Sequence, residues 1–138
     1  MNNNNVILKK SFDFAVRIVN LYKYLCGDKG EFVLSKQLLK SGTSVGANVR
    51  EAVQAQSRAD FLAKMSIALK EICETEYWLE LLNKTEYLTS EQCGSIITDC
   101  KEIAKITASI VKKVKQSQPN QTTKQTAIDN QRTPITVD

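Results

Sequence analysis

Four glutamates, Glu71, Glu74, Glu76 and Glu80, crowd one stretch of this chain, and carboxylates at that density are the raw material of acid–base pairs and metal sites. Their spacing argues against both. On a helix Glu76 and Glu80 share a face at i,i+4, but no second segment offers a complementary ligand set, so a solvated or subunit-facing surface is the expected role. The chain contains no histidine, which removes the commonest general base and the commonest metal ligand together. Glu-x-x-His metal pairs of the kind found in di-iron bundles therefore have no place here. No nucleophile, base and orienting group can be assembled, so the expectation is a protein without enzymatic activity, metal or cofactor.

Other reactive types have structural explanations. Cys26, Cys73, Cys93 and Cys100 fall inside helical patterns where small apolar side chains suit, and none forms a Cys-x-x-Cys pair. They read as reduced core residues of a cytoplasmic protein. The run from Ser41 to Arg50, Ser-Gly-Thr-Ser-Val-Gly-Ala-Asn-Val-Arg, invites comparison with a phosphate-binding loop. It lacks the Gly-Lys-Ser/Thr step and follows a helix rather than a strand. Gly42, Gly46 and Ala47 are instead expected to let a neighbouring helix backbone come close, with a ligand or partner contact as the alternative. Tyr77 and Trp78 read as a core wall beside a partly exposed aromatic, ahead of a platform for stacking bases.

The elements that position these residues are helices. With 138 residues and ordinary apolar and charged fractions, the chain has the size of one globular domain. No run of about 18 apolar residues suggests a membrane span, and the N-terminus does not read as a secretory signal. Residues 1–8 form a leader, residues 9–116 a patterned body, and residues 117–138 a Gln/Thr/Asn/Pro-rich tail whose composition predicts disorder. The body divides into helices over about 9–26, 31–55, 57–84 and 89–116. Ser57 with Asp60 and Thr89 with Gln92 mark two helix starts, and the glycines at 27 and 30 mark an end. Such short connections predict an all-α, antiparallel, up-and-down four-helix bundle.

The third helix carries the seam Phe61-Met65-Ala68-Ile72-Thr75-Leu79-Leu82 and a second apolar row, Leu62, Leu69, Cys73, Tyr77 and Leu81, while the fourth carries Cys93-Ile97-Cys100-Ala104-Thr107-Val111-Val114, widened on one side by Ile96, Ile103 and Ile110. The first helix has two apolar rows: Phe12, Ala15, Val16, Val19 and Tyr22 on one side, with Phe14, Ile18, Leu21 and Leu25 roughly opposite. So much apolar circumference predicts contact with another subunit, a deeply buried helix in a thick monomer being the alternative. Phe14, Ile18, Leu21 and Leu25, with Leu62, Leu69 and Tyr77 of the third helix, are the expected interface.

Charge is distributed unevenly. The body holds 17 basic and 13 acidic residues and the tail two of each, so the net charge of +4 resides in the body. An up-down path gathers Lys9, Lys10, Arg50, Arg58, Lys64, Lys112, Lys113 and Lys115 at one end, and Asp28, Glu31, Glu76, Glu80, Glu86 and Glu91 at the other. A symmetric ring of such subunits would carry one basic rim.

Several of these stretches are familiar. Lys10-Ser11-Phe12-Asp13-Phe14-Ala15, Leu34-Ser35-Lys36-Gln37-Leu38, Ser41 to Ala52, and Ala68-Leu69-Lys70-Glu71 running to Glu76-Tyr77-Trp78-Leu79 resemble the bacterial four-helix-bundle family encoded in intervening sequences of 23S ribosomal RNA genes. The resemblance spans about residues 8–116, and its most specific part is the stretch from Ser41 to Asn48. It implies a ring-forming bundle, typically a pentamer, without known enzymatic activity. A more distant resemblance is to the accessory variability determinant of diversity-generating retroelements, a basic pentameric barrel that binds a reverse transcriptase and nucleic acid.

The combined expectation is a homo-oligomer whose rim contacts RNA or DNA phosphates through Lys9, Lys10, Arg50, Arg58, Lys112, Lys113 and Lys115, largely without sequence preference. The alternative is a scaffold for a protein partner, with charge only steering assembly. Because the tail has almost nothing to bury, deleting residues 117–138 should leave melting temperature and assembly unchanged. A large fall in melting temperature on truncation would show instead that the tail docks.

Overall fold

The computed structural model describes residues 3–117, and within them four helices account for nearly the whole path. These are α1 (Asn3–Gly27), α2 (Leu34–Val53), α3 (Arg58–Lys84) and α4 (Ser90–Gln116). Each packs on the next and α4 returns to α1, closing the expected antiparallel bundle.

Local signals set the helix starts. Ser57 Oγ accepts a hydrogen bond from Asp60 N at 3.0 Å. At α4 the capping box is complete: Thr89 Oγ1 accepts from Gln92 N (3.1 Å) while Gln92 Oε1 accepts from Thr89 N (2.9 Å). Gly30 takes the left-handed conformation (φ 64°) in the turn after α1, where a side chain would be strained. α1 begins earlier than expected, at Asn3, so the leader assigned to residues 1–8 is helical from residue 3. The reason is Ile7, one heptad before Phe14 and on the same face, which is fully buried and so ties the first turns to the core. Residues 118–138 of the expected tail lie outside the described residues, whereas Ser117 ends α4, its N–H donating to Lys113 O at 3.1 Å.

The seam assigned to α3 is buried from Met65 to Leu82, with Phe61 partly covered at its head. On α4 the core line runs through Cys93, Ile96, Cys100, Ile103, Thr107 and Ile110. Two buried thiols join these helices, Cys93 Sγ donating to Leu79 O (3.5 Å) and Cys100 Sγ to Ile72 O (3.6 Å). Cys73 is exposed, contrary to its assignment as a core residue, because it lies about 100° round α3 from the Ile72 seam.

α1 and α2 come close together at two glycines of α2. A Cβ on Gly42 would lie 2.7 and 2.8 Å from the two γ-carbons of Ile18, and one on Gly46 would lie 3.3 Å from the Ser11 carbonyl oxygen. Ile18 therefore occupies the space that a side chain at 42 would fill. This reverses the assignment of the two α1 faces. Phe14, Ile18 and Leu25 are buried in the subunit's own core and cannot meet a neighbour; Leu21, Leu62 and Leu69 are half-buried against that core. Of the expected interface residues only Tyr77 is exposed, at 58%. The outward apolar face is the other one, with Phe12 54% and Val16 46% exposed. Ala47, 100° beyond Gly46, is exposed rather than buried between the helices, and it lines the cleft between α1 and α2 with Phe12 and Ala15.

Gly42→Ala should therefore lower stability. The methyl must displace γ-carbons held by a β-branched, fully buried side chain, an overpacking cost of about 1–3 kcal/mol that exceeds the roughly 1 kcal/mol gained in helix propensity. Gly94 on α4 faces open space, so Gly94→Ala should raise stability by up to about 1 kcal/mol. Chemical denaturation of the two variants checks the pair, and equal shifts would contradict the packing argument.

Candidate nucleic-acid interface

The seven cations expected to form the basic rim divide by what they touch. Lys9 Nζ pairs with Asp13 at 2.7 Å across one helical turn, and Lys10 Nζ with Glu102 at 3.3 Å across the α1–α4 seam. Arg50 lies over the Phe12 ring, its guanidinium carbon 5.8 Å from the centroid, a cation–π contact between α2 and α1. Arg58 Nη1 donates to the Ser117 carbonyl at 2.9 Å and so satisfies one of the open carbonyls at the end of α4. Lys112, Lys113 and Lys115 are exposed and form no ion pair among the described residues. Lys64, from the same end, bonds Glu51 at 3.0 Å, and that hydrogen bond and charge raise its pKa.

The acidic end contains a departure from the expected surface charge. Glu31 is turned inward and buried. Its carboxylate accepts backbone hydrogen bonds from Val33 (3.1 Å), Leu34 (2.9 Å) and Ser35 (2.6 Å), while Ser35 Oγ donates back to the Glu31 carbonyl at 2.8 Å. The free N–H groups at the start of α2 are thus met by a side chain from the preceding turn rather than by Val33, which occupies the N-cap position without a capping bond. Burial alone would raise the Glu31 pKa, but the N–H donors stabilise the anion and hold it below its ordinary value.

Elsewhere, Glu74 accepts from Trp78 Nε1 at 3.2 Å, and among the described residues no group of three or more ligating side chains could hold a metal. Trp78 is half-buried and Tyr77 meets it edge-on, with ring centroids 5.0 Å apart. Burial pushes the Cys100 thiol up to about 12, leaving it protonated at neutral pH. A groove of about 690 Å³ follows the α1–α4 seam, where Arg17 reaches Asp99 at 2.6 Å and Ser95 Oγ at 3.0 Å. Among the described residues no helix is long and apolar enough to cross a membrane.

Residues 3–109 match the family model of the 23S rRNA-intervening sequence protein. The chain belongs to this family. A 1.70 Å crystal structure of a protein of unknown function from the S23 ribosomal protein family of Bacteroides thetaiotaomicron VPI-5482 is similar, with 63% identity and a TM-score of 0.80 over 80% of this chain and 99% of that one. No significant match is found among curated proteins. The match to the 23S rRNA-intervening sequence protein family reaches into all four helices and includes the Ser41–Asn48 stretch, whose two glycines set the α1–α2 approach.

Sorting charge by bundle end missed a second arrangement. Lys101 and Lys105 are exposed on α4 and share the helix face of Lys112 and Lys115. Reading that helix at about 100° per residue reveals the row.

The Glu31 cap gives a pH dependence of defined sign. A carboxylate with a lowered folded pKa contributes stability that is present above the unfolded value, about 4.3, and is lost as pH falls through the folded value. Glu31→Gln should therefore cost about 1–3 kcal/mol at neutral pH, and the gap to the native sequence should narrow below about pH 4. Urea melts of both proteins from pH 7 to pH 3 check this, and a gap that does not change with pH would show that the anion is not the stabilising form.

Proposed function

We propose that the chain is a non-enzymatic, self-assembling bundle of the cytoplasm that binds nucleic acid through phosphate contacts at its basic end. The observation that carries the reading is the group Lys112, Lys113 and Lys115, three exposed ammonium groups without a counter-ion among the described residues, at the end where Lys9, Lys10, Arg50 and Arg58 also sit. Lysines that neutralise phosphates release condensed counterions, so a solvated cluster of this kind gains affinity without needing shaped pockets. Four unpaired cysteines suit a reducing compartment.

Assembly is supported by exposed apolar side chains on different faces, Phe12 and Val16 on α1, and Ile67 and Tyr77 on α3. Contact between unlike faces is heterologous and closes into a ring when the rotation permits, and the family resemblance makes five the expected number. The scaffold reading draws on one feature, the exposed tip Phe32 and Val33, 59% and 72% accessible, which the Glu31 cap holds in place beside a turn.

Sedimentation at micromolar concentration should give a species several times the 15.5 kDa subunit mass, and a clean monomer would remove the assembly part of the proposal. Binding to labelled RNA and DNA at about 50 mM salt should weaken steeply as salt rises, with a log–log slope of about −0.7 to −0.9 per phosphate contacted. Absence of salt-sensitive binding to any of them would leave the scaffold reading.

A further inference from the structure

We infer that the nucleic-acid contact extends from the basic end along the outer face of α4, and that its partner is a duplex held by its phosphate backbones. The inference rests on the nucleic-acid reading above and assigns it a surface and a partner class.

Lys101, Lys105, Lys112 and Lys115 are spaced i, i+4, i+11 and i+14. At 3.6 residues per turn they fall within an arc of about 80°, on a line about 21 Å long. All four are exposed, and none makes an ion pair among the described residues. Between Lys101 and Lys115 the one remaining position in that arc, Ala108, carries neither acid nor bulk. The acids that could neutralise the row are turned aside, Glu102 to Lys10 at 3.3 Å and Asp99 to Arg17 at 2.6 Å. Like charges at i,i+3 and i,i+4 destabilise a helix slightly, so folding gains nothing from this row.

The chemistry of the face selects the partner. Single-strand binders combine a basic groove with aromatic platforms for unstacked bases. This face is the convex side of one helix and has no aromatic residue. A duplex offers one charge per about 1.7 Å of axis, so a line of about 21 Å faces about a dozen phosphates without any base having to unstack.

The test compares the full-length protein with two quadruple variants of equal net charge. One is Lys101→Gln, Lys105→Gln, Lys112→Gln and Lys115→Gln. The other, Lys23→Gln, Lys29→Gln, Lys36→Gln and Lys40→Gln, removes exposed lysines from α1, its following turn and α2. Each is checked for helicity and assembly, then titrated into a labelled 20-base-pair DNA duplex, the matching RNA duplex, the single strands and polyglutamate across a salt series. The α4 variant should lose at least about tenfold in duplex affinity at low salt, and its log–log salt slope should flatten by about 3 to 4, while the control keeps most of both. Equal losses in the two variants would reduce the effect to net charge and overturn the inference. So would tighter binding to single strands or to polyglutamate than to duplex. If native protein binds duplex and the α4 variant binds equally well, the face is wrong and the nucleic-acid reading survives; if native protein binds no nucleic acid, that reading itself falls.

Discussion

The distance between α1 and α2 is the constraint from which the rest of the bundle follows. Two glycines one turn apart leave a hollow in α2, Ile18 fills the space at Gly42, and the Ser11 carbonyl comes up against Gly46. Once Ile18 is seated there, Phe14 and Leu25 must also point inward, because they share its face at i−4 and i+7. The opposite apolar row is then left outside, where Phe12 carries Arg50 on its ring. A local steric fact thus decides which half of an apolar helix stabilises the subunit and which half is free to meet something else.

Polar groups inside the bundle are matched with different care at different depths. At the level of the glycine hollow the hydroxyls of Ser41 and Thr75 bond at 2.9 Å, and Thr75 also bonds the Glu71 carbonyl at 2.8 Å. Toward the basic end Thr107 Oγ1 is buried with no hydrogen-bond partner among the described residues. An unmatched buried hydroxyl costs on the order of 1–3 kcal/mol, so the core there is less well satisfied than at its middle. The α2 start shows the opposite extreme, with one carboxylate serving three N–H groups.

Features encoded locally were legible in the chain. The caps at Ser57 and Thr89 are short-range devices and stand where their residue types place them, and of the two apolar rows of α3 the one from Met65 to Leu82 is buried as its spacing predicts. α1 was not legible in the same way, since both its faces are apolar and periodicity cannot rank them. The deciding signal lay in another helix, in the pairing of small residues at 42 and 46 with bulk at 18. Glu31 was hidden for a related reason: capping rules look at the N-cap side chain, here Val33, whereas the acceptor comes from two residues earlier. For the candidate site, assigning cations to a bundle end did bring Lys112, Lys113 and Lys115 together. It could not see that Lys9 and Lys10 are neutralised by acids, nor that Lys101 and Lys105 extend a helix face.

The groove along α1 and α4 bears on how the chain reaches its final form. The other three seams join helices adjacent in the chain through short loops, whereas the polar contacts that close this one link residues 92 and 82 positions apart. Loop-closure entropy rises with that separation, and the reward on arrival is two half-exposed ion pairs and a groove rather than a dry apolar seam. Three helical hairpins can therefore form from local contacts, with the meeting of first and last helix completing the circle. That same seam, where the backbones approach one another least, is where the closed bundle opens most cheaply.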